Sequence, residues 1–154
     1  MKTLYILIHM IYPSTDTSVI KHCDNVLKEA MEAYCFLDID YRMVSEDSAM
    51  LIIDPCVVGM WPYSNLLGVT FGSIHVNPLL YPPTKINLSC ELDQDKVLRV
   101  LIHELYHAFT VGTYHNIDPE SIMYEVYSKE SKFTRQDSLY IINIFKYTKY
   151  AKLR

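Results

Sequence analysis

The chain has 154 residues, half of them hydrophobic, with 14 basic against 18 acidic side chains and a formal charge of -4 at neutral pH. That length suits one domain, 1–154, around a single core, and the apolar content argues against intrinsic disorder. The mild acidity gives no electrostatic footprint for nucleic acid, and the longest apolar run, Leu4 to Tyr12, is too short to cross a bilayer.

In chain order, Leu4-Tyr5-Ile6-Leu7-Ile8-His9-Met10 reads as a first buried strand rather than a secretory signal. Pro13, Ser14, Thr15 and Asp16 follow it as a turn, where a signal would show small residues at a cleavage site. Thr17 to Tyr34 carries Val19, Ile20, Cys23, Val26, Leu27, Ala30, Met31 and Tyr34 at helical spacing. Ile39 to Val44 alternates as a strand. Ala49 to Ile53 is a wholly apolar run before Asp54-Pro55 and suits a central strand covered on both faces. Pro62 to Pro83 is turn-rich, with an edge strand predicted from Gly68 to Val76. Lys85 to Cys90 alternates again. A long helix is predicted from Asp93 to about Thr110, with Leu98, Leu101, Leu105 and Phe109 on one face. A last helix begins near Thr134, where Thr134 and Asp137 resemble a capping box and Leu139, Ile142 and Phe145 form the apolar stripe. The order predicts an α+β domain in which helices pack on a mixed sheet.

The cysteines, Cys23, Cys35, Cys56 and Cys90, lack the spacing of a zinc ribbon or a redox motif. Cys23 and Cys90 fall on apolar faces and are expected as small buried hydrophobes; nothing in the spacing demands a disulfide. Lys146, Lys149, Lys152 and Arg154 read as the solvated face of the last helix.

His103-Glu104-Leu105-Tyr106-His107 matches H-E-x-x-H. Residues four apart share a helix face, so both imidazoles can reach one metal ion. Glu104 sits beside that ion, positioned to take a proton from a water that zinc makes acidic. Beyond it, Gly112 can take the left-handed conformation that ends a helix, which would return His115 as a third nitrogen ligand. Asp118 is the alternative third ligand, since carboxylates also bind zinc.

The run from His115 through Ile117, Asp118, Pro119, Glu120 and Ser121 to Ile122-Met123-Tyr124 resembles the metzincin zinc peptidases. The likeness is closest to the catalytic domain of the matrixins (matrix metalloproteinases), with their third ligand followed by a methionine turn. Phe133-Thr134-Arg135-Gln136-Asp137 resembles the start of that family's C-terminal helix. The specific motifs lie within residues 103 to 137. The resemblance implies a zincin-like (metzincin) fold, a twisted mixed sheet of about five strands with an antiparallel edge strand, plus three helices. It implies one catalytic zinc held by His103, His107 and His115, with Glu104 as the catalytic residue, Met123 as the apolar floor and Tyr127 in the wall of the substrate pocket. The activity implied is endopeptidase hydrolysis, with the substrate bound extended along the edge strand.

The chain departs from that pattern. Thr110 stands at the family's glycine position, and Gly112 and His115 both come two residues late. Two extra residues would rotate a continuing helix by about 200°, so the turn must absorb them. Glu125 replaces the usual proline after the Met-turn. The 73–84 segment has no Asp or Glu, so the family's calcium loops are expected to be missing; a propeptide cysteine to occupy the zinc is not expected either, since Cys23 and Cys35 fall in a predicted helix or at its end. The expected partner is a peptide or protein substrate, met by a monomer, with no nucleic acid and no membrane; no signal peptide or transmembrane segment is evident, and the compartment is unknown. Two rivals stand beside this reading. One is a zinc peptidase completed by Glu120 or Glu125. The other is a zinc-containing binding protein of metzincin fold with little or no peptidase activity.

Overall fold

The computed structural model describes residues 4–58, 67–75 and 80–147. It is an α+β domain with one five-stranded mixed sheet and three α-helices. The strands are β1 (Leu4–Met10), β2 (Ile39–Met43), β3 (Leu51–Val57), β4 (Gly68–Phe71) and β5 (Thr84–Ser89). The helices are α1 (Thr17–Glu32), α2 (Gln94–Phe109) and α3 (Arg135–Tyr147).

The strand order is β2-β1-β3-β5-β4. All pairs are parallel except β4–β5, which places Gly68 opposite Leu88 and Phe71 opposite Lys85 in antiparallel register. β3 is central, and Leu51, Ile52 and Ile53 are all buried, as a strand covered on both faces requires. It runs past Ile53, where the sequence predicted its end at Asp54-Pro55. A register irregularity between Asp54 and Val57 accommodates Pro55, which has no N–H to give to the ladder.

Cys90 is not the buried hydrophobe expected of it. It is exposed and disulfide-bonded to Cys56, so the bridge ties the end of β3 to the residue after β5. Cys23 is buried as expected, and Cys35 lies exposed in the turn after α1. That helix stops at Glu32, two residues short of the expected Tyr34. Tyr34 is nonetheless fully buried, its hydroxyl donating to the Ile102 carbonyl and its ring edge-on to Phe109 at 5.0 Å.

Both long helices are capped by aspartate. The Asp16 side chain accepts from the Ser18 N–H and the Asp93 side chain from the Lys96 N–H. α2 buries Leu101, Leu105 and Phe109 against the sheet, as its periodicity predicted. α3 starts with the predicted capping box in reciprocal form: the Thr134 N–H donates to Asp137 Oδ2 at 2.8 Å, and the Asp137 N–H to Thr134 Oγ1 at 3.3 Å. Its buried face differs in part from the predicted stripe, however. Asp137 and Ile141 face inward and Phe145 packs against Phe109 as the stripe predicted, while Leu139 and Ile142 are exposed. The edge strand ends at Phe71, and Val76 lies outside the described residues, as do Lys149, Lys152 and Arg154. Among the described residues, no helix is long and apolar enough to cross a membrane.

Candidate metal centre

His103 and His107 lie one turn apart on α2, and their Nε2 atoms are 3.2 Å apart. Two nitrogens on one tetrahedral zinc stand about 3.3 Å apart, so this pair is spaced to share an ion. α2 ends at Phe109. Its C-cap, Thr110, is extended (φ -120°, ψ -177°), with its hydroxyl donating to the Tyr106 carbonyl at 2.8 Å. Gly112 then turns at φ +88°, in the region that favours glycine. The reversal therefore takes place after the helix, and the chain brings His115 back to the pair. The ring centroid of His115 is 5.4 Å from that of His103 and 5.0 Å from that of His107. The three imidazoles offer ligand atoms within 4.8 Å of one another and could hold a metal ion.

The surroundings orient these rings. A carbonyl can only accept, so the 2.7 Å bond between His103 Nδ1 and the Ile122 carbonyl puts the proton on Nδ1 and leaves Nε2 its lone pair. On the outer side of His115, the Glu125 carboxylate is 3.5 Å from Nδ1. Burial is the chief reason that the imidazoles of His103 and His107 titrate low, His107 at about 3, with the neighbouring histidines adding to the effect. Both rings therefore stay neutral, the form that ligates a cation. Asp118 is exposed, with its carboxylate turned to the Glu120 N–H at 2.9 Å, and is no part of the cluster. Glu120 is exposed as well.

Glu104 follows the first histidine and is buried. Burial raises its carboxyl to about 7, partly offset by the Thr70 hydroxyl, which donates to Oε2 at 2.6 Å. Thr70 belongs to β4, which passes close to α2. A Cβ at Gly68 would stand 2.9 Å from both Glu104 Cγ and Val100 Cγ1, so only glycine permits this approach. No local sequence pattern pointed to Thr70, because its place beside Glu104 comes from the packing of β4 against α2, 34 residues apart in the chain.

Met123 is fully buried, and its carbonyl accepts from the Asn116 N–H at 3.0 Å. Tyr127 is half-buried in the wall of a cleft of about 1120 Å³. The same cleft is bordered by Gly68 to Thr70, the three histidines, Glu104, Lys96 and Arg99. No protein-family model matches the chain, and no curated protein matches it.

Proposed function

We propose that this protein is a zinc-dependent endopeptidase, a metzincin most similar to the matrixin catalytic domain. The observation that carries the reading is the convergence of three imidazoles on one point beside a buried glutamate that borders an open cleft. His103, His107 and His115 would hold the zinc, and neutral nitrogen donors at this spacing suit that ion. When bound, zinc supplies a Lewis acid that polarises a carbonyl and makes a coordinated water acidic near neutral pH.

The remaining steps belong to the chain. The substrate lies extended against β4, whose one described partner is β5 and whose residues border the cleft. Glu104 takes a proton from the attacking water as oxygen bonds to the scissile carbon. It then delivers that proton to the amine as the C–N bond breaks. A carboxyl that titrates near 7 suits both halves of this exchange. Thr70 holds the Glu104 carboxylate in place, and Met123 packs as an apolar floor without taking part.

The test is cleavage of a mixed peptide library by the zinc-loaded protein and by Glu104→Ala. The expected outcome is cleavage by the wild type and a loss of at least about 10²-fold in the variant, with zinc content unchanged. His115→Ala is expected to lower zinc content sharply. Stoichiometric zinc with no cleavage by the wild type would favour a zinc-containing binding protein instead.

A further inference from the structure

The cleft does not end at the histidines. On α2, Lys96, Arg99 or Val100, His103 and His107 follow at three- and four-residue spacing, so they line one face of the helix. Arg99 lies one turn and Lys96 two turns before His103, about 6 and 10 Å along the axis. Both are half-buried and line the cleft. Tyr127, Ser128 and Ser131 form another part of the cleft wall.

Each cation is held against that wall by a neutral group. Arg99 Nη1 donates to the Ser131 carbonyl, and Lys96 Nζ stands 5.6 Å from the centre of the Tyr127 ring. Among the described residues, neither comes within ion-pair distance of a carboxylate. The carboxylates that border the cleft, Glu104 and Glu125, are both engaged at its histidine end, with Thr70 and with His115. The cleft is thus polarised along its length. The Arg99 guanidinium has five N–H donors and the Lys96 ammonium three, and each retains donors to offer a ligand. An extended peptide advances about 3.4 Å per residue, so both cations stand within reach of side chains one to three residues from the bond beside Glu104.

We propose that Lys96 and Arg99 form a subsite for an acidic side chain, so that the preferred substrate carries Glu or Asp within three residues of the scissile bond. This rests on the peptidase reading for the position of the scissile bond. The chemistry is a carboxylate accepting charge-assisted hydrogen bonds from both cations on a partly desolvated wall.

The experiment uses the full chain carrying Glu104→Gln, loaded with zinc, and two labelled alanine octapeptides that differ only in a central Glu or Gln. Binding is read by fluorescence anisotropy. The Glu peptide is expected to bind about tenfold tighter at low salt, with the difference shrinking in 0.5 M NaCl. Adding Lys96→Glu is expected to abolish or reverse the preference, and Lys96→Arg to keep it. Equal affinity for the two peptides, no binding of either, or a preference untouched by both Lys96→Glu and Arg99→Met would overturn the subsite. Hydrolysis by the wild type decides the peptidase reading separately. Cleavage without a Glu preference in binding leaves that reading standing and removes the subsite. Glu-selective binding without cleavage of the mixed peptide library keeps the acidic subsite and removes the peptidase reading, with the scissile bond as its reference point.

Discussion

Burial lifts the Glu104 carboxyl from 4.5 to about 7 even though the Thr70 hydroxyl bond favours its ionised form. In the metal-free protein the folded state therefore holds this proton more tightly than the unfolded chain does. The stabilisation is full below pH 4.5 and is lost as pH rises to about 7, on the order of 3 kcal/mol in all. His103 and His107 act in the opposite sense, because burial lowers their titration and stability falls as acid protonates the unfolded chain first. Comparing wild type with Glu104→Gln in a chelating buffer cancels the histidine contribution. The variant's advantage in urea unfolding is expected to grow from near zero at pH 4.5 to about 3 kcal/mol at pH 8. A constant difference across that range would show that burial does not control this group. At the same scale, His103, Glu104 and His107 were legible in the sequence because helix geometry alone fixes their relation. Thr70 and the two cleft cations were not. Their roles depend on what stands opposite them, and no spacing along one segment encodes that.

Among the elements, the end of α2 was the point on which the site depended. A helix continued through His115 would have placed it about 12 Å along the axis from His107 and about 80° round, away from the pair. The helix instead stops at Phe109, and Gly112 at φ +88° makes the reversal. A Cβ there would meet nothing within 4 Å, so replacing the residue tests the backbone conformation without a clash. Gly112→Ala is expected to lower the unfolding free energy by about 1 kcal/mol, and Gly112→Asn by less, since asparagine tolerates this region. Equal stability of all three in urea unfolding would mean that the turn relaxes to another conformation. The strands and long helices were legible from periodicity, yet of the stripe assigned to α3 only Phe145 packs against the core. The inward positions of α3 include a carboxylate, so a search for apolar residues chose Leu139 and Ile142, both of which the structure leaves exposed. The Cys56–Cys90 bridge escaped for a related reason: it reports the adjacency of β3 and β5, which a sequence separation of 34 conceals.

Across the whole molecule, that inward carboxylate joins the segment carrying His115 to α3. Asp137 is fully buried and accepts four hydrogen bonds. Oδ1 takes them from Asn116 Nδ2 at 2.9 Å and the Tyr114 hydroxyl at 3.1 Å. Oδ2 takes them from the Ser121 hydroxyl at 2.6 Å and the Thr134 N–H at 2.8 Å. Tyr114 and Asn116 flank His115, and Ser121 in turn accepts from the Met123 N–H at 2.9 Å. One side chain therefore fixes both the third histidine's loop and the methionine turn, whose Ile122 carbonyl orients His103. Asp137→Asn keeps the shape but places an NH₂ where two donors already point, whichever way the amide is turned. The expected cost is about 3 kcal/mol of unfolding free energy, because buried donors lose their acceptor. Asn116→Ala removes one donor and leaves the carboxylate with three, so it is expected to cost less. If the network serves the metal as well as the fold, Asp137→Asn also weakens zinc binding by about 10- to 100-fold in a chelator competition run where the protein remains folded. Lost stability with unchanged zinc affinity would instead confine Asp137 to the architecture and leave the His115 loop positioned by its own turn.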